Sequence, residues 1–425
     1  MQPAFDVSAV RVAEARAMAQ LPADTLMQRA AFGLATRCAQ LIWRQRGALV
    51  GSRVVVLVGS GNNGGDALWA GVHLAQRGVA VTAILLDQRW HRESASALAR
   101  AGGRLEPVDL AIHGELIDSA DLVLDGILGI GGTGALRSPS AEVAARAGAS
   151  AAFVVAVDLP SGLDADTGAV ADPSAASWAQ ETVTFGCLKP GLLVSPGAGL
   201  VGELTLIDIG LELAGIGEPV VRRVCESDAT ALLPLPGPND DKYTRGVVGV
   251  VAGSPPYPGA GVLCSGAARL GGAGMVRYAG SASDVVINRW PEIVVAADGP
   301  ATAGRVEAWV LGPGAGTDEA ATAHLTQALE SQVLVVIDAD GLTLLSQDSS
   351  LREMIATRHA SGLATVITPH AGEFARLGFT LPQGGAANRI GAVRDAAASL
   401  GAVVLLKGHE TVVAAPSGSA FVNTP

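Results

Sequence analysis

Short apolar runs recur along this chain, each ending in glycine or a polar residue, with apolar positions at helical spacing between them. Residues 54–58 form the first clear run, unbroken by polar residues, which suits a strand buried on both faces of a parallel sheet. Upstream, Val10, Ala13 and Ala17, then Leu26, Ala30, Leu34, Cys38 and Leu41, predict helices over about 7–42 that pack across a sheet. Downstream, 68–76 reads as a helix punctuated by Gly78, and 79–86 as the next strand. That βαβ order implies a parallel sheet with a right-handed connection. Further strands are predicted at 122–124, 153–157, 182–185 and 204–209. From 213 to about 242 the pattern weakens and prolines cluster at 234, 236 and 238, which marks a boundary. A second alternation follows, with strands at 246–252, 308–311, 333–337, 364–367 and 403–406 and helices through Leu270 and after Thr317.

A length of 425 residues accommodates about two or three domains. Apolar residues make up 49% of the chain and aromatics 4%, with 54 glycines, a mixture that favours closely packed α/β layers. The net charge of −11 argues against nucleic acid or an anionic membrane as partner, so an anionic substrate must be met by local donors. Asp6, Arg11, Glu14 and Arg16 exclude a signal peptide, and no uncharged apolar run reaches the roughly 18 to 20 residues of a membrane helix. The four cysteines, at 38, 187, 225 and 264, are widely spaced and read as reduced structural residues of a cytoplasmic protein.

The candidate chemistry lies where the predicted strands end. After 54–58, glycines at 59, 61, 64 and 65 would allow positive φ and close approach to a ligand, and a helix beginning near Asp66 would aim free N–H groups at an anion. The stretch reads as a phosphate or pyrophosphate cradle. A plain turn is the alternative, but a turn has no need of Asn62, Asn63 or Asp66, which suit ribose hydroxyls, an amide or a cation. The strand at 122–124 runs into Asp125 and a second glycine-rich loop, and the strand at 153–157 into Asp158 and Pro160-Ser161-Gly162. One such Asp is often a helix cap, whereas two beside flexible loops favour a site. Lys189, held near those carboxylates, would donate a proton or neutralise phosphate.

In the second half the strand ends carry Ala260 at a helix start, Gly314 in a glycine loop, Asp338-Ala339-Asp340, His370, and Lys407-Gly408-His409-Glu410-Thr411. His370 as a cap and Lys407 as a solvated side chain are the ordinary readings. Glycine loops with Lys and Asp together suggest nucleotide-dependent phosphoryl transfer.

Taken in order, these motifs resemble the bifunctional NAD(P)H-hydrate repair enzymes. GSGNNGGDA, the loop after Asp125, VDLPSGLDADTG and TVTFGCLKPGL resemble the NAD(P)HX epimerase domain. KYTRG, AGSPPYPGA, LGPGAG, IDADGL, TPHAGEFARL and LLKGHET resemble the ADP-dependent dehydratase of the ribokinase-like superfamily. The resemblance implies a Rossmann-like three-layer α/β domain over 1–212, a linker at 213–224 and a ribokinase-like α/β domain over 225–425. It implies epimerisation of R and S hydrates of NADH and NADPH in the first domain. In the second it implies phosphorylation of the S form from ADP with Mg2+, then phosphate elimination. Asn62, Asn63, Gly64, Gly65 and Asp66, with Gly129, Ile130, Gly131, Gly132, Thr133, Gly134 and Ala135, would hold the hydrate. Asn63, Asp125 and Ser161 would bind potassium, and Asp158 with Lys189 would move protons. Ala260, Gly314 and His370 would contact the hydrate in the second domain, and Lys407, Gly408, His409, Glu410 and Thr411 the nucleotide phosphates. A homo-oligomer with no nucleic-acid or membrane partner is expected. Relatives continue past Asn-Thr-Pro at 423–425 into a GTGD-type segment holding the dehydratase base, so little dehydratase activity is expected from these residues. Ala67 also departs from the glycine of many relatives. Two alternatives are a ribokinase-like small-molecule kinase fused to a dinucleotide-binding domain, and a non-catalytic scaffold.

Overall fold

In the computed structural model all residues are described except Pro234, Ala297, Asp298, 383–387 and Pro425, together with the side chain of Ala111. Of the proline cluster, Pro234 therefore lies outside the described residues. The chain divides into two compact units, one spanning Gln2–Arg222 and the other chiefly Arg223–Leu381 and Arg389–Pro425.

In the first unit the apolar runs become strands β1 (Arg53–Val58), β2 (Ala80–Leu85), β3 (Arg104–Pro107), β4 (Leu122–Gly126), β5 (Phe153–Val157), β6 (Glu181–Phe185) and β7 (Glu203–Ile207). Their order is β3-β2-β1-β4-β5-β6-β7 and every pairing is parallel. Chain direction across the sheet reverses between β1 and β4, where an open parallel sheet leaves a crevice beyond its carboxyl ends. Residues 54–58 of β1 are all buried, as an unbroken apolar run requires when helices cover both faces. Helices α1 (Val7–Met18) and α2 (Thr25–Arg46) precede β1, and α3 (Asn62–Ala75) follows it. Leu34, Cys38 and Ile42 of α2 pack with Val54 and Val56 of β1 and Leu68 of α3.

The start of α3 corrects the sequence reading. The helix begins at Asn62, not near Asp66, because Gly64 and Gly65 have low helix propensity and conceal its first turn. None of the four glycines takes a positive φ. Gly59, Gly64 and Gly65 serve close packing instead, whereas a Cβ on Gly61 would meet nothing within 4 Å. A Cβ on Gly59 would stand 1.9 Å from the Ile127 carbonyl oxygen, and one on Gly64 would stand 2.4 Å from that of Gly59. Gly59→Ala is therefore expected to cost about 1–3 kcal/mol through displacement of the 126–129 loop, measured by denaturant unfolding. An unchanged midpoint would show that the loop yields freely.

An ion pair ties α2 to β6. Arg37 donates to both carboxylate oxygens of Glu181, Nε at 2.5 Å and Nη2 at 2.9 Å, and the Thr205 hydroxyl donates to the same carboxylate at 2.7 Å. Glu181 is wholly buried.

The second unit contains β8 (Val247–Val251), β9 (Met275–Tyr278), β10 (Val294–Val295), β11 (Ala308–Leu311), β12 (Leu334–Ile337), β13 (Thr365–Ile367), β14 (Val403–Leu406), β15 (Thr411–Ala414) and β16 (Ala420–Asn423). From β10 to β14 they run in the order β10-β9-β8-β11-β12-β13-β14, all parallel, and β15 and β16 continue antiparallel. Residues 213–242, where the periodicity faded, contain a strand at Val221–Arg223 and a helix at Glu226–Leu232. Both are too short to register as a repeating pattern. No described helix is long and apolar enough to cross a membrane. All four cysteines are free, and burial raises the Cys38 and Cys187 thiols.

Candidate functional site

The first site is assembled at the carboxyl edge of β1, β4, β5 and β6. Asp158, the residue after β5, sits at φ +66°. Aspartate tolerates this left-handed conformation better than most residues, yet it remains a local cost of the kind that collects at working sites. The Asp158 N–H donates to the Val183 carbonyl at 2.8 Å, which fixes the turn against β6. Its carboxylate Oδ1 accepts from Lys189 Nζ at 2.6 Å and from the Thr184 hydroxyl at 2.9 Å. Lys189 also donates to Thr184 Oγ1 at 2.9 Å and to the Phe185 carbonyl at 3.1 Å. All three ammonium donors are thus engaged. The Lys189 side chain is 2% exposed and that of Asp158 12%, so the carboxylate is the more accessible member of the pair.

Two further carboxyls face this pair. Asp66 stands one residue beyond the first turn of α3 and is held well above the ordinary carboxyl range. Desolvation by the surrounding atoms is the main cause, followed by the charges of Asp158 and Glu14, with Lys189 opposing. Glu14, half-buried on α1, is raised first by desolvation and then by Asp158. A carboxyl whose folded pKa is raised favours the fold fully below its unfolded pKa and loses that contribution as pH rises through the folded value. Asp66→Asn is accordingly expected to raise the melting temperature at pH 8 by on the order of a few degrees, with no gain near pH 3. Melting curves at the two pH values check this; an equal effect at both would contradict the assignment.

Beside them, Asp125 is buried at the end of β4 and accepts from the Ser161 N–H at 2.9 Å, the Ser161 hydroxyl at 2.7 Å and the Ile127 N–H at 3.3 Å. Burial raises its carboxyl, and donors on Ser161 and Ser177 oppose that. Asn63 is buried, and its side-chain Nδ2 has no hydrogen-bond partner. A Cβ on Gly129 would stand 3.1 Å from the Asn63 amide, so the glycine is what admits that side chain beneath the loop. In the 129–135 loop Gly132 N–H donates to the Gly129 carbonyl at 2.8 Å, Gly134 takes φ +77°, and Ile130 packs with Val10 and Cys187. Gly131 and Thr133 are exposed. Of the sequence-predicted residues of the first half, Asp158 pairs with Lys189, Asp125 with Ser161, and Asn63 lies against Gly129, whereas Asn62, Gly131, Thr133 and Gly134 are exposed. Glu14, Thr184 and Ser177 are additional. Glu14 was detectable in principle as an acid within the Val10, Ala13, Ala17 stripe of an otherwise amphipathic helix.

The second unit brings its candidates to the carboxyl edge of β8, β11, β12, β13 and β14. Ala260 lies in the first turn of the helix Pro258–Leu270, and Gly314, at φ +62°, comes so near that a Cβ there would stand 2.9 Å from the Ala260 Cβ. Gly312 abuts the Asp338 carbonyl, and the Gly316 N–H donates to Asp340 Oδ2 at 3.0 Å. Asp338 receives Lys407 Nζ at 2.7 Å, and Glu373 lies 3.8 Å from the same ammonium. Lys407 is thus engaged rather than freely solvated. His370 caps the helix Ala371–Arg376, its Nδ1 accepting from the Gly372 N–H at 2.9 Å, while Nε2 of the exposed ring lies 3.6 Å from the Glu373 carboxylate. Gly408 and His409 are exposed in the turn before β15, Glu410 is buried, and Thr411 opens β15.

Comparison with known proteins assigns both units. Residues 23–191 match the family model "YjeF-related protein N-terminus", and residues 248–425 match "NAD(P)H-hydrate dehydratase". A Mycobacterium tuberculosis protein named bifunctional NAD(P)H-hydrate repair enzyme Nnr is 49% identical over 425 residues, covering 100% of this chain and 84% of that protein. The chain belongs to the bifunctional NAD(P)H-hydrate repair enzyme family. Two further members of that family are similar. The Mycobacterium leprae protein is 48% identical over 425 residues, covering 100% of this chain and 84% of its own. The Corynebacterium glutamicum protein is 36% identical over 482 residues, covering 98% and 82%. Membership in this repair-enzyme family sets aside the small-molecule kinase and scaffold alternatives.

Proposed function

We propose that the chain repairs hydrated NADH and NADPH, with epimerisation of the R and S hydrates carried out at the crevice holding Asp158 and Lys189. The observation that carries this reading is the Asp158 carboxylate, less buried than its partner and fixed by a fully engaged Lys189 at 2.6 Å. The hydrate is a hemiaminal at C6 of the nicotinamide ring. As the C6–N1 bond breaks, the C6 hydroxyl proton passes to Asp158, leaving an aldehyde at C6, and the released ring nitrogen gains a proton. Rotation about the C5–C6 bond and closure on the other face reverse both transfers and give the epimer. Asn62–Asp66 and the 129–135 loop hold the phosphates and riboses.

Asn63, Asp125 and Ser161 suit a potassium ion. From Asn63 the ligand would be the side-chain oxygen, its unpartnered Nδ2 being a donor that faces away from a cation, and Asp125 is a buried carboxylate whose hydrogen-bond donors are all neutral. Bound there, the ion would offset the Asp125 charge and anchor the hydrate's phosphate.

In the second unit we propose that Ala260, Gly314 and His370 contact the S hydrate, and that Lys407–Thr411 surround the phosphates of ADP with Mg2+. Lys407 sits between Asp338 and Glu373, poised to exchange a carboxylate for a phosphate oxygen. A cytoplasmic protein fits this substrate, since reduced nicotinamides are used there.

The test supplies pure R hydrate in oxygen-18 water without nucleotide. The S epimer is expected to form with its original oxygen in the early turnovers. Persistence of the R form would defeat the epimerase reading, and heavy oxygen in every new S molecule would defeat ring opening.

A further inference from the structure

Two threonines share one face of β6, and their hydroxyls serve different partners. Thr182 and Thr184 stand two residues apart, so both side chains leave the strand on the side opposite Val183. Both are wholly buried. The Thr182 hydroxyl donates to the Val201 carbonyl at 2.7 Å, which ties β6 to the segment before β7. Thr184, nearer the carboxyl end of the strand, donates instead to Asp158 Oδ1 at 2.9 Å.

The neighbours fix the direction of that bond. Lys189 Nζ, which carries donors only, stands 2.9 Å from Thr184 Oγ1 and uses the hydroxyl as an acceptor. The hydroxyl proton is left for the carboxylate, which as an anion can only accept. Oδ1 thus receives two donors, Thr184 and, at 2.6 Å, Lys189. Among the described residues no donor reaches Oδ2. The Asp158 N–H meets the Val183 carbonyl at 2.8 Å, so the backbone and carboxylate of Asp158 are anchored to consecutive residues of β6.

We infer that Thr184 is a positioning residue of the epimerase. It holds Oδ1 against Lys189 and so presents Oδ2 as the oxygen that takes the C6 hydroxyl proton on ring opening and returns it on closure. This rests on the epimerase reading above. The terminal torsion of an aspartate is broad and roughly two-fold, and one ammonium contact leaves the carboxylate room to turn. A second donor on the same oxygen removes that freedom, because the ammonium, hydroxyl and Oδ1 close a triangle with sides of 2.6, 2.9 and 2.9 Å. Thr184 therefore acts on the substrate only through Asp158.

The experiment measures kcat and KM for exchange starting from purified R hydrate, with a melting curve for each protein. The variants are Thr184→Val, Thr184→Ser, Thr182→Val, and Thr184→Val combined with Asp158→Asn. Valine removes the hydroxyl at nearly constant volume, so Thr184→Val is expected to lower kcat roughly 10- to 50-fold with KM within about twofold. Its melting temperature falls by on the order of a few degrees, since a donor of Lys189 loses its acceptor. Thr184→Ser restores the hydroxyl and is expected to bring kcat back to within about threefold of wild type. Thr182→Val strips an equally buried hydroxyl from the same face and should melt lower as well, with kcat within about twofold. Added to Asp158→Asn, Thr184→Val should cost less than about threefold more, because the group it positions has already lost its chemistry. A kcat for folded Thr184→Val within about threefold of wild type, or an equal loss of kcat in Thr182→Val, would reduce Thr184 to packing and overturn the inference. Either result would leave the epimerase reading intact. Failure of the wild type to exchange epimers would instead remove that reading.

Discussion

Asp158→Asn is expected to slow epimer exchange by about 100-fold or more at neutral pH, the range lost when a general acid–base group is removed. Asparagine is the informative replacement for two structural reasons. It is among the few residues that accept φ near +66°, so the turn after β5 survives. Its amide oxygen can also receive Lys189 and Thr184, as the carboxylate oxygen does now at 2.6 and 2.9 Å. What it cannot do is gain and lose a proton. Leaving the ammonium of Lys189 without an anion is expected to cost about 1–3 kcal/mol, so the variant melts lower but remains folded at 25 °C. Lys189→Met should be worse on both counts, because Asp158 then loses its fixed orientation as well as its countercharge. Exchange by Asp158→Asn within threefold of wild type, with the fold retained, would transfer the chemistry to another group.

The largest expected effect on stability lies away from the site. Arg37→Met removes the two guanidinium bonds to Glu181 and strands a wholly buried carboxylate with the Thr205 hydroxyl. Breaking one side of such a pair costs about 3–5 kcal/mol, whereas replacing both partners by neutral groups is often far milder. The variant is expected to melt roughly 10 °C lower, given the size of this unit. Arg37→Met with Glu181→Met should recover much of that loss. Glu181 opens β6, while Lys189 lies beyond its other end, so exchange by the folded fraction is expected within about twofold of wild type. An unchanged melting temperature in the single variant would mean that Glu181 takes up a proton or water without cost.

Much of the architecture was legible because parallel sheets impose unbroken apolar runs. The strands at Phe153–Val157, Ala308–Leu311 and Val403–Leu406 coincide with the runs read from the pattern. Asp125, Asp158 and Lys189 were legible for the related reason that polar residues at the carboxyl ends of such strands face the crevice. The start of α3 was not. Gly64 and Gly65 look like loop residues by propensity, and only the contact between helix and neighbouring backbone shows that they are needed for packing. Glu14 was hidden for a different cause. Its significance depends on where α1 docks, a tertiary contact made through Val10 and Cys187, far apart in the chain. The same applies to Thr184, whose hydroxyl links Lys189 to Asp158 only once the turn after β6 folds back.

The central claim is that the Asp158–Lys189 crevice interconverts the two hydrate epimers. The most direct measurement incubates purified R and S hydrates separately with wild type and with Asp158→Asn, without nucleotide, and separates the epimers chromatographically over time. Wild type is expected to bring both starting materials to one common R to S ratio, while Asp158→Asn leaves each close to its uncatalysed course. Identical time courses for the two proteins, or no approach to a common ratio with wild type, would contradict it.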